Sequence, residues 1–117
     1  MEGSLESYRE AWRRRRLAEE DRRRELAEKA FAQARALTNV LKDKYQCGVV
    51  YLIGSLARRE FGEHSDIDLV VGGMREEDYF HALGEISALS PFPVDLVPLE
   101  EANGLIVASI AAEGISM

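Results

Sequence analysis

The chain has 117 residues, 46% of them hydrophobic and 31% charged, with a formal net charge of −6. A chain of that length holds one domain with one core, and the balance is that of a soluble globular protein, not a fibrous or disordered one. No apolar run approaches the roughly 18 residues needed to span a bilayer, the N-terminus carries Glu and Arg in place of an apolar signal core, and Cys47 is the only cysteine. These features exclude an internal disulfide and predict a cytoplasmic protein with no membrane partner. Cys47 itself, beside Gly48-Val49-Val50, reads as a small core residue.

The net charge hides an asymmetry. Residues 1–44 hold twelve Lys/Arg against nine Asp/Glu, a balance of +3, whereas residues 45–117 hold three Arg against twelve Asp/Glu, a balance of −9. So acidic a body repels phosphate-rich ligands unless cations intervene, which is a first pointer to metal.

In chain order, residues 4–44 read as one long helix or two on one axis, with no Gly or Pro and an abundance of Ala, Leu, Glu and Arg. Ser7 and Glu10 have capping-box spacing. Leu26, Ala30, Ala34, Leu37 and Leu41 form one apolar face, and Leu5, Tyr8 and Trp12 a second short stripe. Between the stripes, residues 13–25 are almost wholly charged, with opposite charges four apart at Arg15–Glu19, Arg16–Glu20, Glu19–Arg23, Glu20–Arg24 and Glu25–Lys29. This stretch is expected to project into solvent and to leave Tyr8 and Trp12 free for a partner. The expected organisation is therefore residues 1–44 as a helix packing on and extending from a body at 45–117, one domain overall.

Residues 48–53 form a β-branched and aromatic run closed by Gly54, which predicts a buried strand. A short helix is expected over 55–61, a turn over 62–65, and a second strand from Asp66 to Val71, where polar and apolar residues alternate before Gly72-Gly73. Helical spacing returns over 75–89, Pro91 and Pro93 break it, residues 94–97 read as a third strand, and a final helix is expected over 99–113, weakened at Asn103-Gly104. The fold class is thus α/β (α+β): a small sheet flanked by helices, in the order α-β-α-β-α-β-α.

Three carboxylates stand out. Asp66 and Asp68, two apart on a strand, point to the same face with side chains about 6–7 Å apart, and a hard cation such as Mg²⁺ between them relieves their repulsion while keeping positions for substrate phosphates. Alone, such a pair more often marks the solvent side of a strand. Gly54-Ser55, between a buried strand and a helix, offers backbone N–H groups to an anion, and Asp95 lies within the apolar run Val94–Val97. Together these are the halves of a metal–nucleoside triphosphate site. His64 and His81 lack ligand-spaced partners, so zinc is not expected.

The run from Gly54 to Val71, Gly-Ser-Leu-Ala-Arg-Arg-Glu-Phe-Gly-Glu-His-Ser-Asp-Ile-Asp-Leu-Val-Val, resembles the signature of the minimal nucleotidyltransferases of the DNA polymerase β-like superfamily. In that family Gly-Ser is followed by a short Ala-Arg-Gly helix, by Ser-Asp-x-Asp-Leu-x-Val, and by a later strand with a third Asp, which Pro93-Val94-Asp95-Leu96-Val97 matches. The resemblance covers about residues 26–117, including the Gly114-Ile115 ending. It implies the small mixed sheet of the nucleotidyltransferase fold, with Asp66, Asp68 and Asp95 as catalytic and Mg²⁺ (or Mn²⁺) ligating residues. Gly54, Ser55, Arg58 and Ser65 would then contact the nucleotide. Arg59 departs from the pattern, since Gly is usual there, and Leu56 replaces a residue that is often polar; both bear on nucleotide grip.

The implied reaction is attack of an acceptor hydroxyl on the α-phosphorus of a nucleoside triphosphate, with ATP as the expected donor. Small members of the family commonly act as antitoxins beside a HEPN toxin and some adenylylate its tyrosine, so the resemblance implies a HEPN-type toxin as partner and acceptor. The competing readings are a non-catalytic antitoxin acting by contact and a nucleotidyltransferase directed at nucleic acid through its arginine-rich helix. The acids interleaved among those arginines favour a solvated or partner-facing helix over a nucleic-acid arm. Self-association stays open.

Overall fold

The computed structural model describes residues 2–117. Helix α1 runs unbroken from Glu2 to Tyr45. It begins earlier than Ser7, which lies inside it, so the Ser7–Glu10 spacing does not mark its start. It ends where Gln46 takes a left-handed φ of 58° and the Cys47 N–H reaches back 3.1 Å to the Leu41 carbonyl, satisfying an orphan carbonyl of the last turn.

Four strands follow: β1 (Val49–Ile53), β2 (Ile67–Gly72), β3 (Val94–Pro98) and β4 (Ile115–Ser116), in the spatial order β3-β2-β1-β4. β1 is antiparallel to β2 and β4, whereas β2 and β3 are parallel. The parallel pair needs a crossover, and α3 (Tyr79–Leu89), entered through a 3₁₀ turn at Glu76–Asp78, supplies it. The remaining helices are α2 (Gly54–Ala57) and α4 (Gly104–Glu113).

Period-two alternation divides the sheet into two faces. Val50 and Leu52 of β1, Ile67, Leu69 and Val71 of β2 and Leu96 of β3 are buried in one cluster with Ala30, Ala34, Leu37 and Leu41 of α1 and Ala82 and Ile86 of α3. The apolar stripe anticipated at Leu26–Leu41 is therefore the core face of α1. Residues between these on the strands, Asp68 and Asp95 among them, face the other way.

Several boundaries differ from the sequence expectation, each for a local reason. α2 spans four residues instead of seven because Arg59, at φ 63°, cannot continue a right-handed helix. The helix expected over 99–113 is split into a 3₁₀ turn at Leu99–Glu101 and α4, because the Asn103 side chain accepts the Ile106 N–H at 3.0 Å and so caps a new start. β4, too short to carry a pattern, was not anticipated. The five ion pairs expected along residues 13–29 are not formed; the described pairs of this stretch are Glu10–Arg14 at 3.7 Å and Asp21–Arg24 at 3.0 Å.

Every described residue from 3 to 25 is exposed, and the molecule reaches 69 Å along its longest axis. The first half of α1 thus stands free of the body as an arm. Tyr8 and Trp12 meet edge to face on it, with ring centroids 6.4 Å apart, and Trp12 is 56% exposed. Trp12→Ala should accordingly leave the thermal unfolding midpoint of the body within about 2 °C of the parent, because surface changes cost at most about 0.5 kcal/mol. A drop as large as a core truncation, read by calorimetry, would place Trp12 in the core instead.

Candidate active site

The acidic cluster is assembled by the parallel pairing. Register sets Ile53 opposite Asp68 across β1–β2 and Asp68 opposite Asp95 across β2–β3, so the two aspartates are neighbours on adjacent strands, on the face away from the core. A further bond, from the Ile67 N–H to the Pro93 carbonyl at 2.8 Å, extends the parallel ladder beyond Val94. On the far side, the Tyr79 hydroxyl donates to the Leu96 carbonyl at 2.6 Å and ties α3 to the strand that carries Asp95. Asp66 lies just before β2, exposed, two residues from half-buried Asp68.

Burial, then the charges of Asp95 and Asp66, push the Asp68 carboxyl up from 3.8 to about 6, with Glu113 adding to the rise and Arg58 opposing it. Among the described residues, three carboxylates thus crowd one another with Arg58 as the cation acting on them.

Gly54 closes the other side. Its φ is +81°, and a β-carbon built on it would overlap the Asp68 carboxylate, so both backbone conformation and close approach demand glycine. Its N–H, anticipated as an anion donor, is held by the Glu113 carboxylate at 2.5 Å. The same carboxylate accepts from Arg58 Nη1 at 3.0 Å, while Arg58 Nε donates to Glu60 at 3.0 Å. Ser55 lies in the first turn of α2, and Ser65 Oγ accepts the Gly62 N–H at 2.9 Å, closing the turn that leads to Asp66.

The structure therefore brings Gly54, Asp66, Asp68, Asp95 and Arg58 together around one end of the sheet. Sequence reasoning missed Glu113. A signal was present: it is the only charged residue of the otherwise uncharged α4 and immediately precedes Gly114, where a side chain would strike the Ile110 carbonyl. Arg59, read from sequence as a question of nucleotide grip, occupies a left-handed position, so the preference for glycine there has a backbone cause.

A divalent cation suits this donor set. Carboxylate oxygens are hard ligands, and Asp68 is half-buried beside the like charges of Asp95 and Asp66. Among the described residues no three His, Cys, Asp or Glu side chains stand closely enough together to hold a metal ion by themselves. A cation here would need water and substrate phosphates to complete its shell, as Mg²⁺ commonly does.

Paired aspartates on neighbouring parallel strands, a glycine turn packed on one of them and an adjacent arginine are the elements of a phosphoryl-handling enzyme. Residues 35–117 match the family model described as Polymerase beta, Nucleotidyltransferase, and the chain belongs to this family. It is similar to a solved structure described as a candidate minimal nucleotidyltransferase, at 25% identity over 78% of this chain and 95% of that one, with a TM-score of 0.62. It shares its fold with a chain of a toxin–antitoxin complex with AMP-PNP, at 18% identity, 72% and 70% coverage and a TM-score of 0.59. A chain from the complex of tri-AMPylated Shewanella oneidensis HEPN toxin with MNT antitoxin is likewise similar, at 19% identity, 74% and 70% coverage and a TM-score of 0.58. No curated protein matches the chain.

Two stability outcomes follow. A carboxyl with a raised folded pKa stabilises the fold when protonated, so in chelator the Asp68 contribution is full below about pH 4 and is lost as pH rises through about 6. Asp68→Asn should remove that slope and stabilise the metal-free protein at pH 7 by about 1–3 kcal/mol, measured by urea unfolding across pH 4–7; an unchanged slope would contradict the electrostatic account. Arg59→Gly should stabilise by about 0.5–1 kcal/mol by relieving the left-handed strain, less the entropy glycine adds to the unfolded chain. A destabilised variant would show that the Arg59 side chain matters more than its backbone.

Proposed function

We propose that the protein transfers a nucleoside monophosphate, AMP from ATP, to a hydroxyl of a HEPN-type toxin, a tyrosine by preference, and so acts as the antitoxin of a cytoplasmic pair. The observation that carries this reading is the register Asp68↔Asp95 across the parallel strands, with Asp66 two residues before. The AMP-PNP bound in one neighbouring complex and the AMPylated toxin in another support the choice of donor and acceptor.

In this reading Asp66, Asp68 and Asp95 hold Mg²⁺ or Mn²⁺. A cation held there would supply Lewis-acid chemistry, lowering the acceptor hydroxyl's pKa and offsetting charge on the departing pyrophosphate. Asp95, exposed at the outer strand, orients the incoming hydroxyl and draws its proton. Gly54 N–H, Ser55, Ser65 and the Arg58 guanidinium grip the triphosphate. Because Glu113 holds both the Gly54 N–H and Arg58, the phosphates take over donors that are already aligned by an internal anion. The protein's contribution is thus placement and charge compensation.

Asp95→Asn separates catalysis from mere binding. The variant should keep most of its affinity for magnesium–ATP, measured by calorimetry, yet lose transfer of α-labelled nucleotide to the toxin by about 10²–10⁴-fold or more. It should also fail to rescue cells that express the toxin. Full rescue without transfer would overturn the catalytic reading in favour of neutralisation by contact.

A further inference from the structure

The arm of α1 begins before residue 35, where the family match starts, and takes no part in the core. Residues 9–24 carry eight arginines and four acids. On the helix they separate in part, so that four of the eight arginines share one face with a single acid. At 3.6 residues per turn, Tyr8, Arg9, Trp12, Arg15, Arg16 and Arg23 fall within about 60° of one line, with Glu19 the one acid among them. Glu20 lies about 80° from that line, and Glu6, Glu10, Asp21 and Glu25 about 120° or more away. The two ion pairs of the arm, Glu10–Arg14 and Asp21–Arg24, belong to that opposite side.

The surface is most basic at the outer end. There a shallow cleft is lined by Tyr8, Trp12, Arg9, Arg13, Arg15 and Arg16, together with Glu19. The next cleft, toward the body, is mixed in charge, lined by Arg22, Arg23 and Lys29 with Glu19, Glu25 and Leu26, and it reaches Glu63 in the turn before Asp66. The basic face is the same side of the helix that enters the core at Ala30, Ala34 and Leu37, so it runs from the arm tip toward the site. From Tyr8 to Arg23 it measures about 22 Å at 1.5 Å per residue.

We propose that this face binds single-stranded nucleic acid. Guanidinium groups in a row match a phosphate backbone, and two exposed aromatic rings in edge contact offer faces on which bases stack. An acidic protein segment would satisfy the arginines but gives Tyr8 and Trp12 no comparable role. The acidity of the body reaches the Arg22–Arg23 end, which adjoins Glu63, but not the outer part at Tyr8–Arg16, which is about 15 Å or more along the helix from Leu26 and so beyond one Debye length of about 8–10 Å. The proposal goes beyond the transfer reaction and stands if that reading fails.

Trp12 is the only tryptophan, so its fluorescence reports directly on the face. The full chain is titrated with unlabelled single-stranded RNA and single-stranded DNA of about 16 nucleotides, with a duplex of the same length and with poly-glutamate. Binding of either single strand should quench Trp12 and weaken by about 50-fold between 50 and 200 mM salt, as expected when about four phosphates are neutralised. The relative affinity of the two strands tells which sugar is preferred. Trp12→Ala, followed by anisotropy of a labelled strand, should lose about ten-fold. Arg16→Glu with Arg23→Glu should lose at least about twenty-fold, whereas Arg14→Glu with Arg24→Glu, an equal change in charge on the opposite side, should lose far less. Circular dichroism checks the helix in each, and Arg16→Gln with Arg23→Gln replaces the charge reversals if helicity falls. Equal losses from the two arginine pairs, absence of binding by both single strands at 50 mM salt, or poly-glutamate or duplex binding as tightly without quenching would each overturn the proposal.

Discussion

The structure is organised around a repulsion. Parallel pairing of β2 with β3 places Asp68 beside Asp95, Asp66 sits two residues away, and the one cation close to them, Arg58, is shared with Glu60 and Glu113. Neither strand gains from this arrangement. What holds it is the apolar layer beneath, where Ile67, Leu69, Val71 and Leu96 alternate with the aspartates and are buried against α1 and α3. The alternation that drives the core together necessarily drives the carboxylates together on the other face. Stability given up at the site is recovered in the core, a division typical of sites that await a charged ligand.

Much of this was legible from residue order. The stripe from Leu26 to Leu41 and the alternation after Asp66 each carry a periodicity that matches their packing, and the continuous apolar run Val49–Ile53 forms a strand whose Val50, Leu52 and Ile53 are buried while Val49 is exposed. Asp68 and Asp95 stand out because each interrupts an apolar strand, whereas Asp66, just before β2, is noticed only through its two-residue spacing from Asp68. The parallel direction of β3, by contrast, is a consequence of the α3 crossover, and no pattern within five residues reveals it. Glu113 was missed because its partners, Gly54 and Arg58, are more than fifty residues distant in sequence. Boundaries failed where one residue overrides its neighbours, as with the Asn103 cap and the left-handed Arg59.

Charge patterns proved the least readable of all. Opposite charges four apart along residues 13–29 invited a lattice of ion pairs, yet the pairs described on the arm lie at Glu10–Arg14 and Asp21–Arg24. Exposed side chains this long lose conformational freedom on pairing and gain little in water, so spacing alone does not decide which contacts form. What spacing does decide is azimuth. Residues that alternate in sign along the chain can still sort to opposite sides of a cylinder.

Because α1 continues from the arm into the core as one helix of 44 residues, without a glycine or proline between Ser4 and Tyr45, the arm has no joint. Its orientation is geared to the body by phase. One residue inserted between Glu25 and Leu26 would turn everything before it by about 100° and carry Trp12 and its arginines to another side of the molecule, with Leu26, Ala27 and the core beyond them left in place. Seven residues would return them to nearly their original bearing, about 10 Å further out. For the proposed binding face, an insertion of seven residues is therefore far less disruptive than an insertion of one.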